Sequence, residues 1–459
     1  MADLEEIASR TGAGIALAYR SGEANPIEVV ECLLGRIDKA RGDNVFIAVT
    51  AERARREAED SQRRYRAGRP LSALDGVPVG WKDIIDIAGT PTTAGSRVLG
   101  DGPVKTKDLR LAANAASFGM VTLGKLNMTE FAYSALGLNP HHGTPVNPNG
   151  GSVPHVPGGS SSGCGAAVAA RLLPCAIGSD TGGSVRIPAS YNGVVGYKPS
   201  QGRIDTTGLV ALARSYDTVG PLARSVEDCI LLDRALRGAV SAESLRADLT
   251  ALTLLVPTNL VTVDLEDAVA ANFERSLAAL AAAGVTIRRE KVDALDGVVE
   301  MTARHGTLTA AEAYFEFSAL IDGDRVGEID RRVVRRIMDG KTMTAYDLLS
   351  IQRGRQRLKA DLARQMGDAL LAWPTTPITA PDVASVAASD ETFHRVNLLT
   401  LRNTMAGNIL DHCGVALPNG RNGEGMPTSL LVSAGHGDDE RLLAAAIEIE
   451  RVVAAEADG

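Results

Sequence analysis

Aromatic residues are scarce in this chain, 4% of 459 residues. An all-β protein is disfavoured on that ground, and the many alanines point to helices packed closely on a sheet. Cysteines are few as well: Cys32, Cys164, Cys175, Cys229 and Cys413 are odd in number, scattered, and never arranged as C-x-x-C. That excludes a disulfide framework and fits reduced thiols. No uncharged apolar run approaches the roughly 20 residues of a membrane span. The start, MADLEEIASRTGAG, is acidic and has no apolar signal-peptide core. Neither membrane attachment nor export is expected, and a cytoplasmic location is. No Lys/Arg run exists, and a net charge of −8 offers no basic footprint for nucleic acid. The seven histidines spell no H-E-x-x-H. Three of them, His141, His142 and His155, sit in one loop without cysteine or carboxylate at metal spacing, so no metal site is expected.

What is present is aliphatic side chain in plenty, enough for a large core, and α/β enzymes of this length fold as one unit. Residues 1–68 read as helical. Ile27, Val30, Leu33, Leu34 and Ile37 recur at helical spacing after Pro26, which suits a first turn. Alternation then begins. Val77–Val79 and Ile84–Ile87 read as short strands, Leu109–Ser117 as a helix, Val121–Leu123 as a strand, Gly163–Leu172 as a helix and Ala176–Gly178 as a strand. Further on, Leu252–Val256 and Val285–Ile287 read as strands around a helix over Glu266–Ala283, and Thr344–Met366 as a long charged helix. This alternation predicts a layered α/β architecture. Leu138–Gly159, rich in Gly, Pro, Asn and His, is too long for an ordinary connector and is expected to be functional.

Three segments carry chemistry. Asp180-Thr181-Gly182-Gly183-Ser184-Val185-Arg186 places a serine after two residues without a Cβ. Such a turn can leave backbone N–H groups pointing at one spot, an arrangement suited to an oxyanion hole. Its plainer reading is a glycine turn with Ser184 as a helix cap. Pro157-Gly158-Gly159-Ser160-Ser161-Ser162-Gly163 reads as a capped helix start, or as the G-x-S-x-G nucleophile elbow with Ser161 at its centre. The elbow should follow a buried strand, and a proline-rich loop precedes it here. Lys82 stands among Val77, Val79, Trp81, Ile84 and Ile85. Burial there would lower its pKa toward that of a general base, whereas an edge lysine would simply reach for solvent. Other enzyme signatures fail. Gly119–Lys125 spells most of a P-loop, but Leu126 stands where Ser or Thr is required, and no S-x-x-K is present.

Together these segments resemble the amidase signature family. Gly76–Asp83, Gly124–Ala132, Gly193–Ser200 and Asp217–Arg224 belong to the same ordered pattern, continuous over residues 25–235. It resumes at Trp373–Pro377 and Gly425–Leu430. The resemblance implies one large α/β/α domain around a mixed, mostly parallel twisted sheet. Residues 1–68 would be a helical extension of it and 69–459 the signature domain, with a catalytic core at about 70–235. It also implies an amidohydrolase in which Ser184 is the nucleophile, Ser160 a bridging serine held by a cis peptide bond, and Lys82 the base. Thr181, Gly182, Gly183 and Ser184 would supply the oxyanion hole, with Ser161, Asp180 and Arg186 in support; Arg186 touching an acidic substrate is the lesser alternative. No metal or organic cofactor is required. Within the family, the block Leu401–Pro418 looks closer to small-amide and ureido hydrolases acting on biuret or allophanate than to the glutaminase subunit of tRNA-dependent amidotransferases. A small amide is therefore the expected partner, without nucleic acid or membrane, and a homodimer is left open. Met128, Asn408 and Asp411, beside His412, are the expected substrate contacts, with a helix-capping role for the last group as the alternative.

Overall fold

The computed structural model describes residues 3–239 and 245–457. Eleven strands among them form one sheet: β1 (Phe46–Val49), β2 (Pro78–Lys82), β3 (Val121–Leu126), β4 (Cys175–Asp180), β5 (Val195–Lys198), β6 (Thr218–Ala223), β7 (Thr253–Pro257), β8 (Thr286–Glu290), β9 (Leu370–Pro374), β10 (Cys413–Arg421) and β11 (Pro427–Ala434). Their order is β1-β3-β2-β4-β6-β5-β10-β11-β9-β7-β8. Parallel pairing is confined to two blocks, β3-β2-β4 and β9-β7-β8. The remaining neighbours are antiparallel. The fold is the expected single α/β domain around a mixed sheet.

The strands read as apolar runs because helices cover both faces. Successive side chains alternate: Val79, Cys175 and Ile177 join one core cluster, and Ala176 with Val121 and Leu123 joins another. The helices Pro26–Lys39, Ala51–Arg66 and Ser162–Ala169 cover the second face, and Arg110–Ser117, Val226–Arg237 and Asp439–Ala457 the first. Local signals explain where helices start. Asn25 and Glu28 form a capping box around Pro26, and Val29, Val30, Leu33, Leu34 and Ile37 make the buried stripe. Thr344 and Asp347 form another at the head of Ala345–Met366. No described helix is long and apolar enough to cross a membrane.

Two expectations change. Ile84–Ile87 is not a strand: the Ile85 N–H donates to the Lys82 carbonyl at 3.0 Å, so the chain turns at once after β2. Its isoleucines are apolar because they are buried in the core, not because they pair in the sheet. Residues 1–68 are also not helical throughout, since β1 lies within them and pairs antiparallel with β3 at the sheet edge.

Candidate active site

β2 and β4 run parallel and adjacent, with Trp81 opposite Ile177, so their C-terminal ends emerge at the same edge. That edge is where open α/β sheets place their chemistry. Lys82 closes β2 and Ser179 and Asp180 close β4. Lys82 is fully buried, and its Nζ lies 2.7 Å from Ser160 Oγ and 2.8 Å from Ser179 Oγ. Burial pulls its amine down to about 8, partly opposed by Cys164, Asp217 and Asp180. Asp217 is close enough to interact electrostatically with Lys82. Burial raises its carboxyl to about 6, against hydrogen bonds from the Thr181 hydroxyl and the Leu212 and Ala213 amides. The Thr181 Oγ1 donates to it at 2.5 Å, which ties the glycine turn to the loop carrying Leu212.

Ser160 and Ser161 lead into the helix Ser162–Ala169, and the Gly159–Ser160 peptide is cis. The Ser161 hydroxyl is clamped on β4, donating to the Ser179 carbonyl at 3.2 Å and accepting from the Ser179 N–H at 3.3 Å. Ser160 is buried and holds the other end of the contact to Lys82.

Asp180 organises the turn that follows β4. Its carboxylate accepts from the Gly183 N–H at 2.8 Å and the Val185 N–H at 3.1 Å. It also receives Arg186 Nε and Nη2, both at 3.0 Å, and Asn408 Nδ2 at 2.8 Å. Burial alone would push this carboxyl up; the Arg186 guanidinium beside it outweighs burial and holds it well below the ordinary carboxylate range. Gly183 has φ +133°, and a Cβ there would collide with Thr404 Oγ1, so glycine is required. Its N–H is engaged by Asp180, while Thr181, Gly182 and Ser184 form the rest of the turn.

Removing one member of the buried Asp180–Arg186 pair leaves an uncompensated charge. Asp180→Ala is expected to lose about 3–5 kcal/mol of stability, read as a lower urea midpoint at unchanged m-value. With its pKa depressed in the folded state, Asp180 contributes this stability above the ordinary carboxylate pKa of about 4 and loses it progressively below.

A cavity of about 370 Å³ opens at Ser184. Its lining includes Thr181, Gly182, Leu212, Ala132–Ser134, Leu401 and Met405, together with the charged or titratable side chains of Arg335, Arg336, Asp339 and His394. Other expected residues face elsewhere. Asn408 is buried against Asp180 and Arg186, donating to the first and accepting from Arg186 Nη2 at 2.5 Å. Asp411 pairs with Lys359 at 2.5 Å. Met128 is buried in the core, where its carbonyl accepts from Asn139 at 2.7 Å. Arg186 is likewise occupied, by Asp180, Asn408 and the Thr404 carbonyl. His141 meets Glu130 at 3.0 Å, while His155 Nδ1 meets the Val153 carbonyl at 2.9 Å.

Sequence reasoning missed Ser179, Asp217 and the cationic wall. Ser179 precedes the glycine turn by a few residues, and only its pairing beside β2 gives it meaning. Asp217 opens a motif block, and its local partners are backbone amides of Leu212 and Ala213, which leave no mark in the sequence.

The family model of amidases matches residues 28–443. The A subunit of glutamyl-tRNA(Gln) amidotransferase from Pseudomonas entomophila (strain L48) is 33% identical over 93% of this chain and 93% of its own length. The 2-amino-5-chloromuconic acid deaminase of Comamonas testosteroni is 32% identical over 89% of this chain and 88% of its own. Among solved structures, an amidase superposes with a TM-score of 0.86 at 29% identity, covering 97% of this chain and 100% of that one.

Proposed function

We propose, from the premise that this chain belongs to the amidase family and hydrolyses C–N amide bonds, that it cleaves a small amide through an acyl-enzyme on Ser184. The observation that carries this reading is the buried Lys82, its amine pulled down to about 8, 2.7 Å from Ser160 Oγ. A serine hydroxyl is a weak nucleophile until its proton is removed. Neutral Lys82 has one lone pair: it accepts the Ser160 proton while donating to Ser179, and Ser160 accepts the proton of Ser184. Ser184 Oγ then bonds to the amide carbon, and the carbonyl π pair moves to oxygen.

That oxyanion is received by backbone N–H groups of Thr181, Gly182 and Ser184. The Gly183 N–H contributes by holding Asp180 rather than substrate. On collapse the C–N bond breaks, and the proton held at Lys82 returns through Ser160 to the departing nitrogen. Water attacks the ester by the same relay and frees the acid. Asp180, Arg186, Asn408 and Ser161 act as braces, and Asp217 positions Thr181.

A second reading, the glutaminase subunit of a tRNA-dependent amidotransferase, is favoured by the name of the Pseudomonas entomophila relative. Ammonia release over a panel of small amides, ureido compounds and glutamine separates the two. We expect the purified chain to act on a small amide with no second protein, nucleotide or tRNA. Turnover of glutamine alone, and only with a partner subunit present, would replace the stand-alone reading with the amidotransferase one.

A further inference from the structure

We infer that Asp217 is a positioning residue for the proton relay: its carboxylate, with no cation paired to it, is the counter-charge that holds Lys82 as an ammonium when it takes the Ser160 proton. This rests on the reading of Lys82 as the base, and it adds an electrostatic residue to that same site.

The relay creates a charge that must be stabilised. When the Ser160 proton reaches Nζ, an ammonium forms at a fully buried position whose hydrogen-bond partners are the Ser160 and Ser179 hydroxyls. Neutral oxygens stabilise such a charge far less than an anion does. Three groups on three elements act electrostatically on Lys82: Cys164 from the helix Ser162–Ala169, Asp217 just before β6, and Asp180 at the end of β4. Burial pushes the Cys164 thiol up to about 12, so it is uncharged where Lys82 titrates. Asp180 is committed to Arg186 by a buried ion pair at 3.0 Å, with Lys198 also acting on it, so its charge is already balanced.

Asp217 remains. Its carboxylate is held by neutral donors alone, the Thr181 hydroxyl on one oxygen at 2.5 Å and the Leu212 and Ala213 amides on the other at 2.9 and 3.1 Å. Among the described residues no Lys, Arg or His lies within ion-pair distance of it. Arg214 feels its charge but pairs outward with Glu316 at 2.7 Å. Burial raises the Asp217 carboxyl to about 6, which still leaves an anion where Lys82 titrates. Burial dominates both groups, and against it Asp217 favours the Lys82 ammonium while Lys82 favours the Asp217 carboxylate. The aspartate takes no proton in the step. Ser160 gives its proton to Lys82, the amine becomes ammonium, and Asp217 stays ionised throughout.

A carboxylate that stabilises the ammonium leaves a signature that a structural tie does not. Below the titration of Lys82, the resting enzyme and the transition state both carry the ammonium, so removing the anion costs both equally. Above it, only the transition state carries the charge and only the transition state pays. Asp217→Asn keeps the hydrogen-bonding frame: Oδ1 can accept from the two loop amides and Nδ2 can donate to Thr181 Oγ1. The probe is a fluorophosphonate, and the rate of Ser184 labelling is measured from pH 6 to 10. In Asp217→Asn the midpoint is expected to move down from about 8 by about half to one unit. The plateau should fall about three- to tenfold, and the two curves should converge at acid pH. Thr181→Val cuts the tie and leaves the charge, so it should lower the rate by one factor at every pH and leave the midpoint in place.

An unmoved midpoint in folded Asp217→Asn overturns the inference, whatever the plateau does, and leaves Lys82 standing as the base. Thermal unfolding establishes that each variant is folded. Asp217→Ser, which also removes the charge, stands in if the asparagine variant does not fold. Failure of both to fold makes Asp217 a structural requirement and overturns the inference as well. A parent whose labelling rate does not titrate at all overturns the reading of Lys82 and this inference with it.

Discussion

Lys82→Arg is expected to lower kcat/KM by about 10²–10⁴-fold, the range that a positioned proton-transfer group contributes. The arginine keeps the charge and fails for that reason: guanidinium does not lose its proton in any accessible range, so it cannot take one from Ser160. Lys82→Ala should lose about as much. The parent's pH profile follows from the same group. Neutral amine is the active form, and burial places its titration near 8. Activity should therefore rise about tenfold per pH unit below that value and level off above it. At pH 7 about one molecule in ten carries the base in its working form. A profile flat from pH 6 to 9, or an arginine variant with near-parent rates, removes Lys82 from the base role.

Ser184→Ala should reduce kcat by on the order of 10⁶-fold, as removal of a nucleophile does in other serine hydrolases. The fold should be untouched. Ser184 stands at the cavity and the turn is held by Asp180 through the Gly183 and Val185 amides, not by the serine hydroxyl. Near-parent circular dichroism and unfolding midpoint, with turnover lost, are the expected combination. Loss of both would mean that the hydroxyl is structural.

Lys82, Ser160 and Ser184 are legible in the sequence because their motifs carry local backbone requirements. Paired glycines mark the turn, and an apolar run marks the buried strand that holds the lysine. Residues that act through distant partners left no such trace. Ser179 becomes meaningful only when β4 lies beside β2, and Asp217 only when its carboxylate reaches Thr181 from the loop that leads into β6. Asn408 shows the opposite error. Its polar side chain, with Asp411 and His412 close by, suggested a substrate contact, yet the requirement it answers is internal, since Asp180 and Arg186 are buried and need every partner they have.

The sheet is unevenly legible in the sequence for similar reasons. β2, β3, β4, β7 and β8 sit in clear alternation with helices, whereas β1 is a four-residue strand inside a stretch dominated by helical patterns. Ile84–Ile87 has the composition of a strand without its geometry, because burial selects apolar residues in a turn as strongly as in a sheet.

The proposed relay acylates Ser184 Oγ and leaves Ser160 and Ser161 unacylated. Labelling the purified parent with a fluorophosphonate and mapping the adduct by peptide mass spectrometry tests it most directly. One adduct is expected, on Ser184, absent from Ser184→Ala and formed far more slowly in Lys82→Ala. An adduct on Ser161 would instead make the G-x-S-x-G segment the nucleophile elbow, and an adduct on Ser160 would reverse the direction of the relay; either contradicts the account.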